Sequence, residues 1–313
     1  MSGQVVKQRL TDPVLTNLAL GYRNEEFVGT NLLPIVEIPK EGARLPRFGK
    51  EAFVVESDER ELHAASNKIT PAKVTSDQIA LTEKDLAYPI DYRENNEADF
   101  AYEQYAVNLV SEKLALNREK RIATLVTNEA SYGTNNKVTL SGTSQFSHKD
   151  SDIFGVFDDG FEAVRKAGAG AVNTIVIPAN VWAELRSHVQ IVEVLKRRGL
   201  QRLTPALLAE MLAEDGQKLN VSVGRASYRA TLDGVDTPIW ANDIVMAHVA
   251  KPDANGKHFM YNPSFGYTFR RQGALVVDKY DEVGGKVYNV RATDINKEYL
   301  LMAEAGYLIK SAV

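Results

Sequence analysis

Between Pro89 and Gly133 this chain contains no glycine and no proline, so nothing in that window obliges a helix to break. The stretch from 95 to 128 reads as one helix. Ala98, Ala101, Tyr105, Leu109 and Leu116 recur near helical spacing, as do Ala106, Val110 and Leu114, with Ile122 and Leu125 beyond. Glu103, Glu112, Lys113, Arg118 and Lys120 take much of the remaining surface. Asn95 or Asn96 is placed to cap the start, with Glu97 and Asp99 in the first turn and Arg118, Lys120 and Arg121 nearer the end. Such a rod is about 45–50 Å long, more than the diameter of a small domain. It is expected to span domains or subunits.

The remaining bounds are simple. At 313 residues there is enough chain for two domains or one elaborate one. A net charge of -4 argues against a dedicated nucleic-acid binder. The absence of cysteine removes disulfides, thiolate metal sites and cysteine nucleophiles together. Residues 1–9 have no apolar core for a signal peptide, and no apolar run reaches membrane-span length.

Residues 1 to about 40 lack periodicity. Short apolar clusters (Val14-Leu15, Leu18 to Leu20, Phe27-Val28, Leu32-Leu33) are separated by Pro13, Gly21, Gly29 and Pro34, which reads as an extended arm packed on something else. From Arg44 to Tyr92 the texture is strand. Segments 52–55, 69–74 and 78–82, around the polar run 56–61, suggest a long two-stranded ribbon with a charged rim. An isolated ribbon is marginally stable, so neighbouring subunits are expected to supply the missing contacts.

After the long helix, Ser151 or Asp152 caps a second one with Ile153, Phe157, Phe161 and Val164 on one face, ending at Gly168. A buried-type strand, 173–177, stops at Pro178. Helices follow at 179–186 and 189–198, and Thr204-Pro205 opens another. Leu219, Val221 and Val223 alternate with polar residues, and 239–240 and 244–249 add strands. Alternating helices and strands between about 152 and 275 describe an α/β domain. Strands return at 274–277, 286–292, 299–303 and 307–309.

This order resembles that of the major capsid proteins of tailed double-stranded DNA bacteriophages with the HK97-like fold. The stretches that carry the resemblance are 87–94, 176–185, 223–226, 239–244, 263–270 and 305–309. The resemblance implies an α+β fold with an N-terminal arm (1–43), an extended β-ribbon or E-loop (44–92), and a long spine helix with its connection to the peripheral domain (93–151). An axial α/β domain (152–275) and C-terminal strands of the peripheral domain (276–313) complete it. It implies copies forming hexamers and pentamers that close into an icosahedral shell around DNA, contacted weakly, within a virion assembled in the bacterial host cytoplasm. Separate scaffolding, portal and decoration proteins are the further partners it implies. With about 95 residues before the spine and half of them in the ribbon, no fused scaffolding segment is expected. An encapsulin-like nanocompartment shares the fold and is the alternative; an α/β enzyme is the remote one.

Nothing in the motifs points to catalysis, a metal or a cofactor. His63, His148, His188, His248 and His258 are scattered without metal-ligand spacing, so structural roles are expected. Asp150, Asp152, Asp158 and Asp159 lack the other positions of a calcium loop, and 168–170 reads as a helix stop. The candidate residues are therefore those of subunit contacts. Arg44, Arg47, Phe48 and Lys50 lie at the ribbon root, and Glu56, Glu59, Arg60 and Glu61 along it, as inter-subunit charge partners. Lys68, Lys73 and Lys84 lie on or near the ribbon, where solvated edge lysines explain them as well as the Lys–Asn cross-links formed in one branch of the resembled family. Lys196, Arg197, Arg198 and Arg202, with Arg270-Arg271, are the densest basic clusters. DNA contact or capsomer ion pairing is weighed there against a solvated helix end favoured by the macrodipole.

Overall fold

A computed structural model of the protein describes residues 12–21, 27–46, 58–60, 62, 66–67, 76–97, 101–168, 170–213 and 217–313. The chain opens with α1 (Pro13–Gly21), α2 (Gly29–Leu32), β1 (Ile35–Ile38) and β2 (Gly42–Pro46). After β3 (Ser76–Ala80), β4 (Thr82–Asp91) and the short α3 (Tyr92–Glu97) comes the long helix, α4 (Tyr102–Val126). Next are β5 (Lys137–Thr139), α5 (Ile153–Lys166), β6 (Thr174–Pro178), α6 (Ala179–Ser187), α7 (Val189–Arg197) and α8 (Pro205–Leu212). The remaining strands are β7 (Asn220–Gly224), β8 (Ser227–Tyr228), β9 (Thr237–Pro238), β10 (Ile244–Ala247), β11 (Gly266–Arg271), β12 (Val276–Asp281), β13 (Val287–Leu300) and β14 (Gly306–Lys310).

The long helix begins later than its sequence suggests. Asn95 and Asn96 belong to α3, Ala101 precedes α4 without a side-chain cap, and Glu103 is the acidic residue of the first turn. At 25 residues it is a rod of about 37 Å. Its buried side is Ala106, Val107 and Val110, then Ile122, Ala123 and Val126, whereas Tyr105 is half exposed. The first group packs with Leu15 and Ala19 of α1, Ile90 of β4, Val277 of β12 and Val290 and Ala292 of β13. The second joins Val28, Leu32 and Leu33 in the larger core. The rod therefore spans two cores, both built by its own chain.

The first sheet is organised on β13. One edge of this 14-residue strand pairs with β4 from Val287↔Asp91 to Asn296↔Thr82. Its other edge pairs first with β12 and then with β11, and β1 lies parallel to β11. Even-numbered residues of β13 face α4. They are apolar at Val290 and Ala292 and polar at Asp294, Asn296 and Glu298. Odd-numbered Ile295 and Tyr299 face a third cluster containing Val36, Ile38, Leu45, Ile79, Tyr267 and Phe269.

The second sheet runs β5-β14-β10-β6-β7, with β6 and β7 parallel. Ile175, Val176, Ile177, Val245 and Met246 are fully buried, as expected of strands covered on both faces. The helix signals here were legible. Asp152 Oδ1 accepts from the Gly155 amide at 3.2 Å, and Thr204 Oγ1 from Leu207 at 3.2 Å with Pro205 following. Ile153, Phe157, Phe161 and Val164 are buried, and Gly168 leaves α5 at φ 74°.

Four expectations need correction. Residues 12–21 and 27–46 are not an arm seeking another body. Leu32 and Leu33 are completely buried in the larger core, α1 is tied to β12 by Thr16 and Val277, and β1 is a sheet strand. Leu15 and Ala19 pack against α4, β12 and β13, and Val28, Leu32 and Leu33 join the larger core, whereas Val14 is exposed, which periodicity alone does not show. Residues 82–91 are not ribbon but a full member of the first sheet. The α/β layer is also not confined to 152–275: β5 and β14 belong to its sheet, and β11 belongs to the other. Trp240, read as strand, is buried in a turn instead.

Candidate assembly surfaces and the joint behind them

The ribbon has a definite root. β2 and β3 pair antiparallel from Gly42↔Ala80 to Pro46↔Ser76. Leu45 and Ile79 seat this root on the first sheet, while Arg44 and Gln78 point to solvent. Of the residues expected along the ribbon, Glu59 and Arg60 are exposed. Arg47, Phe48, Lys50, Glu56, Glu61, Lys68 and Lys73 lie outside the described residues. Arg197, Arg198 and Arg202 are exposed at and just beyond the end of α7, flanked by Leu195 and Leu203 of the larger core. Arg197 is 3.9 Å from Glu193 and Arg198 3.1 Å from Glu210, so two of the three have partners within the chain. Arg270 and Arg271 are not on a helix at all. Arg270 is a strand residue paired with Asp294 at 2.8 Å, and Arg271 pairs with Glu41 at 2.9 Å.

What the sequence concealed is the joint between α4 and both cores. Glu119, 2% exposed, accepts from the amides of Val28 (2.9 Å) and Gly29 (2.9 Å) and from Trp240 Nε1 (2.9 Å). One carboxylate thus fastens three distant segments. Burial pushes its carboxyl above the usual carboxylate range, against the N–H donors that favour the charged form. Gly29 is needed for this approach, since a Cβ there would lie 2.7 Å from Glu119 Oε2 and 2.9 Å from Ile122. The signal was present but quiet: Glu119 falls on the same helical stripe as Ile122, Ala123 and Val126.

Beside it, α4 meets the polar half of β13. Arg121 holds Glu298 through Nε (3.1 Å) and Nη2 (2.9 Å), and reaches Asn296 Oδ1 at 3.3 Å. Arg118 lies 3.8 Å from Asp294, which also holds Arg270. Lys84 of β4 donates to the backbone carbonyl of Asn296 (2.7 Å) and to its Oδ1 (2.5 Å), with Glu298 3.9 Å away. Lys84 is thus a half-buried member of this network, not a solvated edge lysine. Burial pulls its ammonium down to about 8, and burial also lowers Arg118. The arrangement is a structural clamp: charged groups in a desolvated seam are costly singly and hold only as a set.

His188 and His248 serve the fold, while His63 lies outside the described residues. His188 caps α7, accepting from the Gln190 amide, and its Nε2 sits 3.2 Å from Ser151 Oγ. His248 Nδ1 lies 2.6 Å from the Ala171 carbonyl. Among the described residues no group of three His, Asp or Glu could hold a metal ion, and no helix is long and apolar enough to cross a membrane.

No protein-family profile matches the chain. It is 44% identical over 307 residues, 98% of each chain, to the major capsid protein of Burkholderia phage BcepMu. It is 26% identical over 317 residues to that of Pseudomonas phage JBD67, covering 96% of this chain and 97% of the relative. Among solved structures, a phage-related protein from Bordetella bronchiseptica RB50 superposes with a TM-score of 0.80 at 23% identity, over 98% of this chain and 99% of that one. The mature capsid of bacteriophage PhiM1 gives a TM-score of 0.54 at 14% identity (99% and 92%). The SrpI encapsulin of Synechococcus elongatus PCC 7942 gives 0.51 at 12% (96% and 95%).

Proposed function

The chain belongs to the bacteriophage major capsid proteins, with the HK97-like α+β fold, and from that premise we propose how its copies build a shell. Hexamers and pentamers of this chain close into an icosahedral shell around double-stranded DNA, and the chain works by assembly rather than catalysis. The observation that carries the reading is 44% identity to a major capsid protein along 98% of both chains. The geometry supports it in a particular way. A ribbon whose root is fixed to the first sheet, on a body whose spine is locked to both cores, can transmit a contact made by residues 47–75 to the rest of the molecule. We assign Arg44, Arg47, Phe48, Lys50, Glu56, Glu59, Arg60, Glu61, Lys68 and Lys73 to contacts between copies. Exposed pairs contribute only about 0–1 kcal/mol each, but symmetry repeats them throughout a shell.

Scaffolding, portal and decoration proteins are further partners, assembly takes place in the bacterial cytoplasm, and the packaged DNA is held weakly. Weak holding suits a chain of net charge -4, because phosphate binding scales with the cations presented. An encapsulin-like compartment is the second reading, supported by the fold likeness to an encapsulin. Size-exclusion chromatography with negative-stain microscopy of the purified protein tests the reading. Rings or shells are expected, and a well-behaved monomer overturns it. Nuclease-protected DNA in particles from infected or induced cells separates a capsid from a protein-filled compartment.

A further inference from the structure

The hairpin formed by β8 and β9 exposes two aliphatic side chains at its tip. Its strands are two residues each, paired Ser227↔Pro238 and Tyr228↔Thr237. A hairpin this small is not stable through its own ladder. It is held instead at three points. Lys120 of α4 sits 3.7 Å from the centre of the Tyr228 ring, the Ile239 amide donates to the Ala226 carbonyl at 3.0 Å, and Arg229 pairs through Nε and Nη2 with Asp236. The base is thus tied to the spine and the neck is clamped. At the tip Leu232 is 92% and Val235 85% exposed, with Asp233 between them making no ion pair among the described residues. An ordered hairpin that holds two aliphatic side chains in water fits a contact that the single chain lacks.

The complementary surface is on the same polypeptide. At the end of α7, Leu200 is 42% exposed, beside Lys196 and Arg202, which make no ion pair among the described residues. Among the described residues, the four cations of this segment (Lys196, Arg197, Arg198, Arg202) have only Glu193 and Glu210 as ion-pair partners. An apolar, acidic tip and an apolar, basic end match in both hydrophobicity and charge.

We propose that the 227–238 hairpin of one copy docks on the 196–202 end of α7 in a neighbouring copy, with Leu232 and Val235 against Leu200 and Asp233 between Lys196 and Arg202. This contact rests on the self-assembly reading and names one interface within it. It also gives the basic cluster an occupant other than nucleic acid.

The test uses the full-length chain in particles made from a mixture of isotope-labelled and unlabelled copies. A carbodiimide joins carboxylates to amines in contact, and the expected product is an Asp233–Lys196 linked peptide of mixed isotope content. In parallel, Asp233→Lys, and Lys196→Glu with Arg202→Glu, are each expected to lower the particle fraction in sedimentation about tenfold, as charge reversal at a contact does. Combined, they are expected to restore it to within about twofold, the signature of a direct pair. Circular dichroism melting of each variant verifies that the fold is intact, and Leu232→Ser with Val235→Ser provides a variant without charge reversal. Particles from Asp233→Lys and from the serine variant in wild-type yield overturn the hairpin contact. Loss without rescue, or a hairpin linked to another protein, overturns the pairing with α7. Wild-type protein that forms no particles brings down the assembly reading, and this contact with it.

Discussion

Glu119 gathers three N–H donors around one buried carboxylate, and the energetics of that position are those of satisfaction rather than charge. Glutamine at 119 supplies one acceptor and turns an NH2 group toward donors. Glu119→Gln is therefore expected to lose about 1–3 kcal/mol in urea unfolding with an unchanged denaturant slope. Asp294, 3% exposed, answers two guanidinium groups. Asp294→Ala leaves both uncompensated in the seam and is expected to cost about 3–5 kcal/mol by the same measurement. Lys84 behaves oppositely with pH. Its native pKa of about 8 lies below the ordinary lysine value, so between the two the unfolded chain binds more protons and this group's contribution to stability rises with pH. Below pH 8 its buried charge is a liability. Lys84→Met is expected to be stabilising or neutral relative to wild type at pH 7, with its relative advantage shrinking toward pH 10. Unfolding curves of both proteins at pH 7, 8.5 and 10 check this, and an advantage that grows with pH contradicts the assignment.

Among the elements, α4 and β13 work as a pair. β13 turns the same face to the helix throughout, and that face changes from Val290 and Ala292 to Asp294, Asn296 and Glu298 just where α4 changes from Val107 and Val110 to Arg118 and Arg121. The apolar half provides burial and the charged half fixes register, since sliding the helix by one turn would strand every ion pair. The ribbon is separable from this unit. Pro46 and Ser76 are partners in β2–β3, so an Asn-Gly turn can close the ladder in place of residues 47–75. That deletion is expected to leave a cooperatively melting chain and to abolish shells. Intact shells by negative stain would refute the role given to the ribbon. A cut extended to residue 85 does not test the same thing, because it removes β3 and part of β4 from the body.

At the scale of the whole molecule the two sheets, α4 and residues 27–46 form one interlocked body, so the arm expected to pack on something else finds much of its burial within its own chain. Residues 12–21, 27–46 and 76–97 are largely settled on their own chain, so the isolated protein is expected to melt cooperatively before any assembly, by circular dichroism at concentrations where sedimentation shows no particles. Assembly then joins bodies that are already folded. The order of elements was legible in the amino-acid sequence because each rests on local rules. A window without glycine or proline gives the long helix, Asp152 and Thr204-Pro205 give helix starts, and the stripe Ile153, Phe157, Phe161, Val164 gives a buried face. Charge and residue type sufficed to bring the exposed arginines into view. Three-dimensional packing alone decided which sheet received β4, β11 and β14, and that Leu32 and Leu33 lie at the centre rather than in an arm. It also decided that Arg118, Arg121, Lys84, Asp294 and Glu298 make one clamp, and that Glu119 beside it joins α4 to Val28, Gly29 and Trp240. Those outcomes depend on pairings between residues up to about 260 positions apart in the chain, such as Thr16 with Val277. Local periodicity carries no record of such distant partners, since a strand's face is set by what crosses it.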